Sequence, residues 1–307
     1  MTEDGGGATL EVGGTGPVPG AHRFSHAAMA TVFEVHCVHA DARYAGQAAQ
    51  AAFDEVDRLE QELSRFVGNS DISRINGLSA GESTRVSPST MECLEIARAL
   101  YDLTSRTFDV SIGTGLEGLD LDPDGFAVRA AADGVRIDLG GIGKGFAVDR
   151  MAEVLEEWEV PRALVHGGFS SVLALEAPPD RDGWPLTLSA PGPGPQEVFA
   201  RVSARQLAFS ASGTQKGAHI VDPHTGRPVR ERAAWVSLLR MDPGAATESP
   251  ARSAAVAEGL STAFMILPLE EVTAVCERCP GLEAWLLREP AEEAQPAALL
   301  HLVAPAG

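Results

Sequence analysis

Apolar and polar residues change their period several times along the chain, and each change predicts an element. From Ala30 to His39 the stretch ATVFEVHCVH alternates, which predicts a half-buried strand. Between about Tyr44 and Phe66 the period becomes helical. Ala48, Ala52, Val56, Leu59 and Leu63 share one face and charged residues take the other. GNSDISRING then predicts a loop and a short helix capped by Ser70 or Asp71. A second long helix is expected from Ser87 to Leu103, with Pro88 in its first turn, where a missing N–H is harmless. Turns rich in Gly and Asp separate short strands as far as Ile137, the last of them VRIDL.

A third helix is expected to start near Gly143 and run through AVDRMAEVLEEW. RALVHGG and SSVLALE read as strands, followed by a loop around Pro191 to Pro195. LAFSASG, HIVDP and AAWVSLLR read as further strands. Helices from Ala251 to Met265 and after Pro268 precede two closing strands. Residues 1–21 are Gly-rich and unpatterned, so they are expected to form a flexible tail, with 22–307 as a single unit. Strands and helices mix without a strict βαβ rhythm, which favours an α+β architecture over a doubly wound sheet.

Composition narrows the function classes. The 307 residues can bury an ample core. A formal net charge of −19 argues against a nucleic-acid surface, which would need clustered Lys and Arg. Lys144 and Lys216 are the only lysines, and both lie in glycine-containing segments. Cys276 and Cys279 form a lone CERC, but no second cysteine or histidine pair completes a zinc set. The N-terminus has neither a basic segment nor an apolar core of a signal peptide. No run approaches the ~20 apolar residues that cross a bilayer. The chain as given is expected to be cytoplasmic, or exported if a leader has been removed.

Three segments could carry chemistry. In Asp138-Leu-Gly-Gly-Ile-Gly-Lys-Gly-Phe-Ala-Val-Asp149 a predicted strand enters glycines and then a helix, so free backbone N–H groups point outward, a geometry that binds anions. Lys144 adds a point charge. The segment is no Walker A motif, because Asp138 stands at its first glycine and Gly145 replaces its Ser or Thr. It is either a phosphate cradle or a tight strand–helix turn. Gly113-Thr-Gly-Leu-Glu-Gly118 fits GxGxxG, but turn-forming LDLDPDG follows it instead of the required helix.

Next, His219 and Val221 share one face of HIVDP. His219 could act as a general base near neutral pH, or could be an ordinary hydrogen-bonded histidine. Finally, Glu258 and Thr262 lie four apart, on one face of a helix. With a backbone carbonyl they suit a hard cation such as Mg²⁺, or they simply meet solvent.

In order along the chain, MATVFEV from Met29, LSRFVGNSDISRIN from Leu63, TFDVSIG from Thr107, DLGGIGKGFAVD, ASGTQKGAHIVDPHTGRP and AEGLSTAF resemble the successive motifs of ApbE-type FAD:protein FMN transferases. The resemblance covers roughly residues 22 to 290. It implies an α+β flavin transferase fold, with mixed or antiparallel sheets and packed helices, and FAD in a cleft. The implied reaction moves FMN from FAD to a threonine of an acceptor protein, with Mg²⁺, and releases AMP. FAD hydrolysis to FMN and AMP, or FAD binding without catalysis, are the alternatives.

Carried over by position, Met29, Phe66, Thr107, Phe108 and Asp109 would line the adenosine and flavin ends of the site. Asp138 and Lys144 would hold the nucleotide, with Val221 beside the cofactor. Gly141 (through its carbonyl), Glu258 and Thr262 would hold the metal, and His219 would be the base or orienting residue. Three positions depart from the family's pattern. Glu258 stands for the usual Asp, Gly167-Gly168-Phe169-Ser170 stands where Gly-Gly-Asp is frequent, and Ala30 replaces the usual Gly.

Overall fold

A computed structural model describes residues 10–12, 18–168, 170–189, 198–213, 220–229, 232–239, 253–288 and 298–303. The strands are β1 (Leu10–Val12), β2 (Ala21–Ala28), β3 (Thr31–Val38), β4 (Ser83–Arg85), β5 (Leu119–Asp122), β6 (Ala127–Ala130) and β7 (Ala163–Gly167). They continue with β8 (Ser171–Ala174), β9 (Trp184–Ser189), β10 (Val198–Ala204), β11 (Leu207–Gly213), β12 (Arg232–Leu239), β13 (Leu282–Arg288) and β14 (Ala298–Val303). The helices are α1 (Ala42–Leu63), α2 (Asp71–Ile75), α3 (Pro88–Leu103), α4 (Gly143–Glu157), α5 (Ser253–Ala263) and α6 (Leu269–Arg278).

An eight-stranded sheet in the order β14-β13-β12-β11-β8-β7-β3-β2 forms the centre, and all its pairings are antiparallel. Alternation in β3 divides its two faces. Phe33, Val35 and Cys37 enter the main core, where α1, α4 and α5 cover the sheet. On the opposite face Leu164, Val172, Phe209 and Trp235 meet Trp184, Leu186 and Leu188 of the small sheet β1-β9-β10. A third sheet, β4-β6-β5, contains the strand that follows the GxGxxG segment. That segment ends in one 3-10 turn, Leu116–Gly118, leading straight into β5, so the dinucleotide-fold reading is excluded here.

Caps explain the helix starts. Asp41 accepts from the N–H groups of Arg43 and Tyr44 before α1. Ser70 opens α2 by accepting from Ser73, and Ser87 opens α3 ahead of Pro88. The α+β class expected from the pattern is the one observed.

Three expectations are corrected. Leu10–Val12, inside the stretch read as tail, pairs antiparallel with β9, and β2 already starts at Ala21. Backbone pairing along the edge of β9 supplies order that composition does not reveal. VRIDL is not a sheet strand. Its polar backbone is satisfied one residue at a time: the Asn76 amide bonds both the N–H and C=O of Ile137, Thr114 accepts from Arg136 N–H, and Val110 C=O accepts from Asp138 N–H. HIVDP contributes no described strand. Val221 forms only an isolated bridge to Pro228 across the turn, and His219 lies outside the described residues.

Candidate functional site

Helices α4 and α5 meet at their first turns, and Gly145 makes this approach possible. A Cβ there would sit 2.7 Å from the carbonyl carbon of Ala254 and 2.9 Å from Ala255 Cα. Each helix supplies a carboxylate that accepts from N–H in the other's first turn. Asp149 of α4 accepts from Ala254 N–H at 3.0 Å and Ala255 N–H at 2.8 Å. Glu258 of α5 accepts from Gly145 N–H at 2.5 Å. Anions at helix N-termini are favoured by both the unpaired donors and the macrodipole. The anion held by the glycine-rich helix start is therefore the protein's own Glu258.

The second oxygen of Glu258 accepts from the Lys144 ammonium, which also reaches Gly140 C=O at 3.5 Å. Glu258 is buried, whereas the Lys144 side chain keeps partial exposure. One turn along α5, Thr262 Oγ donates to Glu258 C=O at 3.2 Å and lies 3.4 Å from the Ser212 hydroxyl of β11. Gly141 borders the same space, since the Cβ position it lacks is 3.9 Å from Thr262 Oγ and 3.4 Å from the Phe108 ring. Gly141, Lys144, Glu258, Thr262 and Phe108 are thus brought together.

The remaining sequence-derived residues surround this centre. Asp138 accepts from Gly140 N–H at 2.9 Å and pairs with Arg65 Nε at 2.9 Å. Arg65 lies over the Phe66 ring, 4.4 Å from its centroid, and Phe66 is 82% exposed. Thr107 and Phe108 are buried, and Phe108 N–H donates to Thr104 Oγ at 2.9 Å. Asp109 turns inward on its own loop, accepting from Ser111 N–H, Ser111 Oγ and Gly113 N–H. Met29 and Ala30 form the two-residue turn between β2 and β3, both with positive φ (49° and 56°), as a twist-matched hairpin requires.

A cavity of about 230 Å³ opens beside Thr107, bordered by Asp222, His224 and Glu271. It brings the turn after Val221 against the loop that carries Phe108 and Asp109. Val221 itself is exposed nearby in sequence.

Sequence reasoning missed Arg65, whose value depends on Asp138 meeting it across 73 residues of chain. It also missed Ser261, whose hydroxyl lies 2.8 Å from that of Ser212, beside Thr262. Asp149 was visible only as the last letter of a motif, and its capping partners belong to another helix.

This constellation defines an α+β protein in which an ammonium, a carboxylate, a hydroxyl and a glycine-rich turn meet at a helix junction. The chain belongs to the ApbE family, whose model matches residues 29–286. It is similar to the FAD:protein FMN transferase of Vibrio cholerae serotype O1, 26% identical over 268 residues, covering 73% of this chain and 75% of that one. It is similar also to the FAD:protein FMN transferase of Salmonella typhimurium, 23% identical over 316 residues, with 89% and 86% coverage. The flavin transferase ApbE structure from Vibrio cholerae superposes with a TM-score of 0.76 at 20% identity, covering 93% of this chain and 98% of that one. The apo flavinyl transferase ApbE of Pseudomonas stutzeri gives 0.76 at 22% identity, with 92% and 94% coverage. These two structures establish the shared fold.

Proposed function

We propose that this protein is an FAD:protein FMN transferase that moves FMN from FAD to a threonine of an acceptor protein, with Mg²⁺, and releases AMP. The observation that carries the reading is the convergence of Gly141, Lys144, Glu258 and Thr262 where α4 and α5 meet. Family membership and the names of the similar proteins support it.

The donor set fits the metal by type: a backbone carbonyl, a carboxylate and a hydroxyl are hard oxygen ligands. Gly141, Glu258 and Thr262 would hold it, with phosphate oxygens and water completing the shell. A bound Mg²⁺ supplies charge neutralisation on the pyrophosphate. Both Glu258 oxygens carry protein donors, so a cation bound by Glu258 would compete with the Lys144 ammonium for the same oxygen. Displaced in that competition, the ammonium would be available to a phosphate oxygen.

In the reaction the threonine Oγ forms a bond to the phosphorus on the FMN side. The bond from that phosphorus to the bridging oxygen breaks, and the departing oxygen leaves on AMP. The hydroxyl proton passes to a base, for which His219 is the sequence-derived choice. Positioning and electrostatics do most of the work in such transfers.

The test mixes the full chain with FAD, Mg²⁺ and a threonine-bearing peptide, following AMP and peptide mass together. An FMN-sized gain with equimolar AMP is the expected result. AMP without mass gain would replace transfer by FAD hydrolysis, and bound FAD with no AMP would remove both.

A further inference from the structure

On the face of the central sheet away from α4 and α5, three nitrogen donors converge on one oxygen. Glu34 and His36 stand two apart in β3, and His166 is the cross-strand partner of Glu34 in β7. His36 Nε2 lies 3.0 Å and His166 Nε2 3.1 Å from Glu34 Oε2, and Arg23 Nε donates to that same oxygen at 2.8 Å. Arg23 also donates to Oε1 at 2.5 Å. Glu34 and His166 are buried, and His36 is 17% exposed at the side chain.

One guanidinium already balances the charge of one carboxylate. Charge pairing therefore accounts for Arg23 but leaves two imidazoles aimed at the same point. Arg23 is the one exposed member of the group, at 63%, on the sheet-edge strand β2.

We propose that Glu34, His36 and His166 form a second metal site, selective for Zn²⁺-like transition ions over Mg²⁺, with Arg23 as its displaceable plug. Two imidazole nitrogens and a carboxylate are the ligands such ions take, usually with water in the fourth position. All three ligand atoms lie within 4.8 Å of one another. Ligands about 2.0–2.1 Å from a tetrahedral ion stand roughly 3.3 Å apart, so the two contacts near 3 Å need shifts of only tenths of an ångström. Entry requires Arg23 Nε to leave Oε2. The other Arg23 contact, on Oε1, can remain and orient the ligating carboxylate, as outer partners of metal sites do. Each imidazole then ligates through Nε2 and carries its proton on Nδ1. The bound ion would tie β3 to β7, the strands that lead from the Met29 turn and into Gly167-Gly168.

The experiment strips the purified full chain of metal and titrates it with Co²⁺, whose four-coordinate form absorbs strongly in the visible. One such Co²⁺ per chain is expected, displaced by Zn²⁺ and indifferent to excess Mg²⁺ and to Glu258→Ala. His36→Gln should weaken binding at least about tenfold, by analogy with the 10–100-fold losses seen even for outer partners. Arg23→Gln should tighten it, and His166→Gln should abolish the band. Should His166→Gln not fold, the wild-type stoichiometry and the His36 and Arg23 variants decide the matter. Absence of a four-coordinate band in the wild type, an unchanged Co²⁺ affinity in His36→Gln, or weakening in Arg23→Gln would each overturn the proposal. None of these readouts involves FAD, so they stand apart from the transferase reading.

Discussion

The Glu258 carboxylate accepts the Gly145 N–H at 2.5 Å, placing a charge from α5 at the start of α4. Lys144 occupies the other Glu258 oxygen, so one acidic group caps a helix and anchors the only described lysine. Changing either partner tests both roles. Glu258→Ala should abolish Mg²⁺-dependent AMP release, and an unchanged rate would exclude Glu258 as a ligand. Lys144→Met should destabilise the fold by about 2 kcal/mol. That is below the 3–5 expected for breaking a buried pair, because Gly145 N–H still serves Glu258 and Lys144 is partly exposed. Denaturant midpoints with and without Mg²⁺ check this: the cation should recover more stability in Lys144→Met than in the wild type.

Gly145→Ala tests the helix junction itself. The added methyl would press on the Ala254 carbonyl, which is backbone and cannot rotate aside. Overpacking of this kind costs about 1–3 kcal/mol, and here it also separates Gly145 N–H from Glu258. A melting curve should show a clear drop in Tm, and a wild-type Tm would mean that the helices do not approach so closely.

Ala30 occupies a left-handed turn position, where glycine would carry no steric cost. An Ala at φ 56° carries steric strain of about 1–2 kcal/mol, partly offset by the greater freedom glycine has when unfolded. Ala30→Gly should therefore stabilise the protein by roughly 0.5–1 kcal/mol. Loss of stability in this variant would argue against the two-residue hairpin turn.

Glu55 joins α1 to α4 through Arg150 at 3.1 Å, and it also pairs with Arg58 at 2.7 Å. Burial pushes its carboxyl pKa up, but hydrogen bonds from Arg58 and Arg150 outweigh that and hold it below the usual value. A depressed carboxyl stabilises above its unfolded pKa, and the contribution fades as pH falls through the folded value. Glu55→Gln should lose about 1 kcal/mol at pH 7, allowing for the exposure of both arginines. The gap to the wild type should close below about pH 4. A pH-independent difference would assign the loss to packing.

The four cysteines are free thiols, and burial raises the pKa of each. Cys37 is pushed up to about 11 and Cys276 to about 12. Since thiolate is the reactive form, a disulfide-exchange reagent at pH 8 should label the native chain slowly and all four thiols after denaturation. Rapid native labelling of Cys276 and Cys279 would instead show that the CERC thiols are reactive.

Much of the fold was legible because local physics wrote it. The 3.6 period of α1, the Ser70 and Ser87 caps and the alternation of β3 each depend on neighbours in sequence. VRIDL was misread because Asn76, 61 residues away, takes the place of a partner strand.

The glycine-rich segment from Asp138 to Asp149 shows the same division at the site. By itself the sequence determined that a helix would start near Gly143, that its backbone N–H groups would need an anion, and that Lys144 would stand beside them. It could not say which anion. Only the tertiary structure decided that, by packing α5 against Gly145 so that Glu258 reaches the N–H, while Asp149 returns the same service to Ala254 and Ala255. Helix ends are left unsatisfied by local chain geometry, and the partner that satisfies them is set by which elements the core brings together.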